Sequence, residues 1–88
     1  MPRFHFHVLE DGRLIKDEEG QEIAEKAVRS EAVETGASIA RDCFMKGSAN
    51  QVIVDVRKDE EPFLKVSISI AIQGPNDSTT IKRIPPSE

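Results

Sequence analysis

The sequence predicts an α+β fold in which one helix packs on one face of a four-stranded antiparallel sheet. Residues 3–9, 51–57 and 63–72 alternate apolar and polar side chains with a period of two, which is typical of strands that bury one face. Residues 22–46 repeat apolar side chains at helical spacing. The chain has 88 residues, which is the size of one small domain.

A hairpin is predicted at the start of the chain. Its first strand covers residues 3–9, and we expect the even-numbered side chains to face the core. Asp11 and Gly12 form a turn signal because both residue types tolerate positive φ angles. The short returning strand carries Leu14 and Ile15, which point to opposite faces, and the pattern leaves open which of the two is buried.

The middle of the chain predicts one long helix over residues 22–46. Its apolar stripe consists mostly of small side chains, which let a helix approach a sheet closely. Gly36 lies on this stripe, where a packing role would offset the ~1 kcal/mol of helix propensity that glycine loses relative to alanine. Residues 17–20 lack the alternating ligands of a calcium loop, and we interpret their carboxylates as a complement to the helix dipole.

A second hairpin is predicted from two strands, residues 51–57 and 63–72, with the charged residues 58–62 between them. Even-numbered side chains are again expected to face the helix. The strand order 2-1-3-4 is favoured because it makes every neighbouring pair antiparallel. We expect a single domain over residues 1–74 and a flexible C-terminal tail over residues 75–88.

Composition and charge exclude several classes of function. The chain has 12 basic and 16 acidic residues and a formal net charge of −4, so we expect no nucleic-acid partner. No apolar run approaches the length of a membrane span, so no membrane partner is expected. The single Cys43 rules out an internal disulfide, and the N-terminus carries no signal-like pattern. We therefore expect a cytoplasmic location.

The first 32 residues contain five short motifs: Met1-Pro2-Arg3-Phe4, His7-Val8, Asp11-Gly12, Asp17-Glu18-Glu19-Gly20 and Ala27-Val28-Arg29-Ser30-Glu31-Ala32. They resemble the landmarks of a family of short bacterial proteins of unknown function. The resemblance covers about residues 1–72 and implies one cytoplasmic α+β domain, without an activity, a ligand or a catalytic residue. His5 stands where an aromatic residue is more usual in that family, so a site built on it would not be a family trait.

A metal site is one candidate chemistry. His5 and His7 are two apart on a strand, so their imidazoles emerge on one face, and this spacing can chelate zinc if a third ligand lies nearby. Asp55, on the neighbouring strand, has the alternation to face the same side. The competing interpretation is a pair of histidines that face solvent. The chain offers no Ser–His–Asp arrangement and no phosphate-binding glycine loop, so we expect no enzyme and no cofactor.

The second face of the sheet is the other candidate site. We expect it to mix apolar and polar side chains, and small domains often cover such a face by dimerising. The predicted interface residues are Leu9, Ile53, Ser67, Ser69 and Ala71. The sequence therefore predicts a non-catalytic interaction or regulatory module that forms a homodimer, with a metal-binding protein as the alternative.

Overall fold

The structure, a computed structural model, describes residues 2–74. The tail predicted over residues 75–88 lies outside the described residues, and the domain boundary at residue 74 stays a prediction. In chain order the elements are β1 (Arg3–Glu10), β2 (Arg13–Ile15), β3 (Gln21–Glu22), a 3₁₀ turn (Glu25–Ala27), α1 (Val28–Lys46), β4 (Gln51–Lys58) and β5 (Glu61–Ser69).

The strands form one antiparallel sheet in the order β2-β1-β4-β5. This confirms the predicted α+β class with one helix and an antiparallel sheet. The structure adds β3, which was not predicted. It pairs with Arg3 and Phe4 of β1, on the edge that β1 also offers to β2. β1 therefore has β4 along one edge and two short strands, separated by a gap, along the other.

The core lies between α1 and one face of the sheet, as the alternation predicted. The buried sheet side chains are all even-numbered, namely Phe4, Phe6, Val8, Val52, Val54 and Val56. The helix approaches closely at Gly36, where an added Cβ would lie 3.1 Å from Val54 Cγ2 and 3.2 Å from Ile68 Cδ1. Glycine at this position therefore has the packing role that the sequence suggested.

The predicted helix start at residue 22 is wrong. Gln21 and Glu22 are extended and pair with β1, and the α-helix begins only at Val28. No side chain caps it, because Ala27 occupies the cap position. The acidic residues 17–20 therefore precede a strand, and their interpretation as a complement to the helix dipole is wrong as well.

The second hairpin turns more tightly than predicted. Asp59 and Glu60 alone connect β4 and β5, both with positive φ (51° and 75°), as a two-residue hairpin turn requires. Pro62 therefore lies inside β5. Because β5 is an edge strand, it tolerates a proline, which lacks a backbone N–H, better than a central strand would.

The alternation in β5 is broken at both ends. The register shifts between Val56 and Arg57, and Phe63 thereby packs edge-on against Phe4, with ring centroids 5.1 Å apart, although its odd number predicted the opposite face. The strand ends at Ser69 rather than residue 72. Ile70 and Ile72, expected to face inward, are 38% and 76% exposed.

Candidate functional site

The face of the sheet opposite α1 is covered by no other described element, and we call it the outer face. It carries the odd-numbered side chains of β1 and β4. One end is apolar, because Leu9 pairs with Leu14 of β2 and with Ile53 of β4. We call these three residues the apolar patch. The other end is polar and contains His5, His7, Asp55 and Arg57.

Both histidines form hydrogen bonds with the loop that follows β2. The backbone N–H of Asp17 donates to Nδ1 of His7 at 3.0 Å, and Nδ1 of His5 lies 2.9 Å from the carbonyl oxygen of Asp17. The two imidazoles are stacked, with centroids 6.0 Å apart and an interplanar angle of 25°. We call this arrangement of His5, His7 and Asp17 the histidine clasp.

The clasp assigns a tautomer to each ring. A peptide N–H can only donate, so Nδ1 of His7 is an acceptor and its remaining proton is on Nε2. A carbonyl oxygen can only accept, so Nδ1 of His5 carries a proton and, in the neutral ring, Nε2 keeps a free lone pair. The neutral histidines thus offer opposite groups at Nε2, an acceptor on His5 and a donor on His7.

The carboxylate of Asp17 closes the gap between β2 and β3. Its Oδ2 accepts the backbone N–H of Phe6 at 3.0 Å, and its Oδ1 accepts the backbone N–H of Gly20 at 3.0 Å. Phe6 lies between the segments of β1 that pair with β2 and β3, so its N–H has no strand partner on that edge. The side chain of Asp17 therefore takes the place of a missing ladder residue.

These contacts shift the acidity of Asp17. Burial acts to raise the pKa of this carboxyl, but the hydrogen bonds from the Phe6 and Gly20 backbones and the attraction to both imidazoles outweigh it. The pKa is therefore held below its ordinary value of 3.8. A carboxyl with a lowered pKa in the fold stabilises the native state above its unfolded pKa, and that contribution is lost as the pH falls through the folded value.

We expect Asp17→Asn to lower the free energy of unfolding by about 1–2 kcal/mol at neutral pH, because the amide presents one acceptor where the carboxylate presents two. Urea unfolding of the variant and the wild type at about pH 7 and about pH 3 measures the difference, which should shrink at the lower pH. The exposed neighbour Glu18 supplies the control Glu18→Gln, which should change little. An equal loss at both pH values would contradict the assignment.

The structure brings the predicted metal residues to one face but not into one cluster. Asp55 lies opposite His7 in the β1–β4 register, yet its Oδ2 accepts hydrogen bonds from Nε and Nη2 of Arg57, at 3.3 and 3.1 Å. Among residues 2–74, no group of three or more His, Cys, Asp or Glu side chains is placed to hold a metal ion. The metal site stays a prediction. The alternative interpretation, a pair of histidines that face solvent, describes the structure only in part, because both imidazoles are half-buried and hydrogen-bonded.

The polar end also forms a shallow pocket of about 280 Å³. It is lined by both histidines together with Lys16, Asp17, Glu18, Arg57 and Glu60. Charges of both signs surround it, and the carboxylates of Asp17 and Asp55 are already engaged by donors of the same chain. The remaining hydrogen-bonding capacity of the clasp is therefore at the Nε2 atoms.

The predicted interface residues all lie on or next to the outer face. Leu9 and Ile53 are half-buried, whereas Ser67, Ser69 and Ala71 are exposed, the last beyond the end of β5. Their role as an interface stays a prediction at this point. The sequence left open whether Leu14 or Ile15 lies on the outer face. In the structure Leu14 is opposite Leu9 and 57% exposed, while Ile15 is opposite Val8 on the helix side of the sheet and is 45% exposed.

Asp17 and Gly20 are residues that the sequence analysis missed. Their signal was available, because an Asp whose side chain binds a backbone N–H a few residues on is a common turn device, with Gly supplying the positive φ. The sequence gives no indication of the contact with Phe6, which lies 11 residues away along the chain.

The comparisons with known proteins agree with an uncharacterised family. No curated protein and no solved structure matches the chain. Within residues 2–74, no helix is both long and apolar enough to cross a membrane. A family model described as a domain of unknown function matches residues 3–69, which is more than half of the chain and includes every strand and the helix. The chain therefore belongs to this family, the domain of unknown function DUF6894.

Proposed function

We propose that the protein is a non-catalytic interaction module that forms a homodimer through the outer face. The observation that carries the proposal is the apolar patch of Leu9, Leu14 and Ile53, which no described element covers. Removing such side chains from water stabilises association by roughly 25 cal/mol per Å² of apolar area. The free, buried Cys43 suits the reducing cytoplasm, where we place the protein.

The edges of the sheet favour contact through a face rather than strand pairing. On one side, the sheet ends in the short strands β2 and β3, which pair with β1 and have Asp17 between them, so no long strand is open to pairing there. On the other side, the edge strand β5 contains Pro62 and Lys65, and both residue types oppose the pairing of edge strands. A second copy would therefore meet the outer face, where small side chains such as Ser67 let two sheets approach to about 10 Å.

The size of the face indicates how strong the dimer should be. Three strands of eight or nine residues and the three-residue β2, about 4.8 Å apart, give a flat area of roughly 450 Å². Stable interfaces bury about 800 Å² of each partner, so this face is at the small end. We therefore expect a dimer that dissociates on dilution rather than an obligate one.

We expect Leu14→Asp to abolish dimerisation without unfolding the protein, because this side chain is exposed in the monomer and would place a charge in the apolar contact. Sedimentation velocity over a range of concentrations should show a wild type that approaches the dimer and a variant that stays monomeric. Val33→Asp is the matched control, since Val33 is 46% exposed on α1, on the opposite side of the molecule. A wild type that is monomeric at every concentration would refute the proposal.

A further inference from the structure

The polar end of the outer face carries a pattern that is complementary to itself. On β1, the clasp leaves an acceptor at Nε2 of His5 and a donor at Nε2 of His7. On β4, Arg57 is directly opposite His5 and Asp55 is directly opposite His7. Each histidine thus has beside it, on the neighbouring strand, a side chain of the opposite hydrogen-bonding character.

With a suitable two-fold axis, residues that are neighbours within one sheet also face each other across a dimer interface. Rotation by half a turn about an axis that lies in the interface, parallel to the strands and midway between β1 and β4, places β1 of one copy over β4 of the other. The rotation keeps the position along the strands, so each β1 residue faces the residue with which it is in register in its own sheet. Face-to-face sheets keep their strands within about 30° of each other, which preserves this match at the centre.

We propose that the homodimer uses this axis. The proposal rests on the proposed function, and it specifies the contacts by which one copy recognises the other. Leu9 packs on Ile53 of the partner subunit, and Nε2–H of His7 donates to the carboxylate of Asp55 of the partner subunit. Nε2 of His5 accepts from the guanidinium of Arg57 of the partner subunit. Each contact occurs twice, as the symmetry of an isologous interface requires.

In this dimer, the histidine clasp prepares both imidazoles for their contacts with the partner subunit. The hydrogen bond between the Asp17 N–H and Nδ1 of His7 selects the tautomer that a partner carboxylate needs, and the carbonyl of Asp17 selects the opposite tautomer on His5. The rings are thus oriented before association, which lowers the entropy cost of binding. The axis also brings Lys16 near Lys65 of the partner subunit, but both side chains are exposed, so solvent screens their repulsion.

A mixing experiment tests the axis. Leu9→Glu and Ile53→Lys are prepared separately, and each should fail to dimerise because it places two charges against apolar side chains. In an equimolar mixture, the axis pairs the new carboxylate with the new ammonium on one side and the unchanged Ile53 with the unchanged Leu9 on the other. Analytical ultracentrifugation should therefore show dimer in the mixture and monomer in each separate sample.

The possible results separate the two proposals. If the wild type dimerises but the mixture of the two variants stays monomeric, the proposed axis is wrong and the interaction module still stands. A two-fold axis perpendicular to the strands would give this result, because it places Leu9 over Leu9 of the partner subunit and pairs no carboxylate with an ammonium. A monomeric wild type would overturn both. Circular dichroism of each variant establishes that it is folded. Val33→Asp keeps the outer face intact and dimerises with itself, so mixing it with either variant should give no more dimer than Val33→Asp gives alone.

Discussion

Val54→Asp should prevent the protein from folding, whereas Ile53→Asp, one residue earlier in the same strand, should leave it folded. Val54 is fully buried between the sheet and α1, so close to the helix that a Cβ added at Gly36 would lie 3.1 Å from its Cγ2. No described cationic side chain lies in the core to pair with the new carboxylate. Lost apolar burial and a desolvated charge together cost at least ~3 kcal/mol. An 88-residue domain has a total stability of roughly 4–13 kcal/mol, so the minimum loss removes most of the stability at the lower end of this range, and a larger cost of desolvating the charge removes it at higher values.

Ile53→Asp carries the same chemical change to the outer face, where the side chain of Ile53 is half-buried and reaches solvent. Circular dichroism and urea unfolding of both variants measure the contrast. We expect a cooperative transition for the Ile53 variant and none, or one at much lower urea, for the Val54 variant. Similar unfolding of both variants would show that the alternation does not separate a core face from an outer face.

The alternation was predictable from the sequence because it is a local property of the chain. One buried face forces a period of two along β1 and β4, and the small side chains of the helix stripe, with Gly36 at its centre, indicate a helix that lies close to a sheet. These features determined the fold class, the antiparallel sheet and the identity of the core. The placement of His5 and His7 on one outer face followed from the same parity.

The features that the sequence did not predict depend on contacts between distant residues. β3 exists because Gln21 and Glu22 pair with Arg3 and Phe4, and this pairing competes successfully with the helical periodicity of the same residues. Arg3 adds to it through hydrogen bonds to the carbonyl of Glu19 at 2.7 Å and to the carboxylate of Glu22 at 3.2 Å. Local propensity is a weak prior in such a case, because tertiary context overrides it.

The carboxylate of Asp17 has a structural role, as the sequence indicated, but it contacts β1 rather than the start of the helix. Carboxylates just before a helical pattern are typical of a helix start, and residues 17–20 fit that pattern. In the structure, the carboxylate of Asp17 instead satisfies the Phe6 N–H, an unpaired strand donor whose existence depends on the gap between β2 and β3. The register shift at Val56, which turns Phe63 toward Phe4, has no local signal either.

Gly20→Ala should be one of the most damaging single substitutions outside the core. Gly20 has a φ of 69°, and a Cβ there would lie 2.8 Å from the carbonyl oxygen of Phe4 and 2.9 Å from Cε1 of His5. The carbonyl oxygen of Phe4 belongs to the backbone of β1, a central strand that cannot easily shift, so the loop that contains residue 20 must move. Movement of the loop would break the hydrogen bond from Gly20 to Asp17 and disturb the clasp.

Gly12→Ala separates this steric effect from the cost of the backbone conformation. Gly12 has a similar φ of 86°, but a Cβ there would meet no atom within 4 Å. The control should therefore cost only the ~1–2 kcal/mol of a left-handed conformation, and Gly20→Ala should cost clearly more. Urea unfolding gives both values, and the histidine side-chain resonances in NMR spectra should change for Gly20→Ala alone. Equal losses for the two variants would mean that the loop is not held against β1, and the assigned tautomers of His5 and His7 would lose their basis.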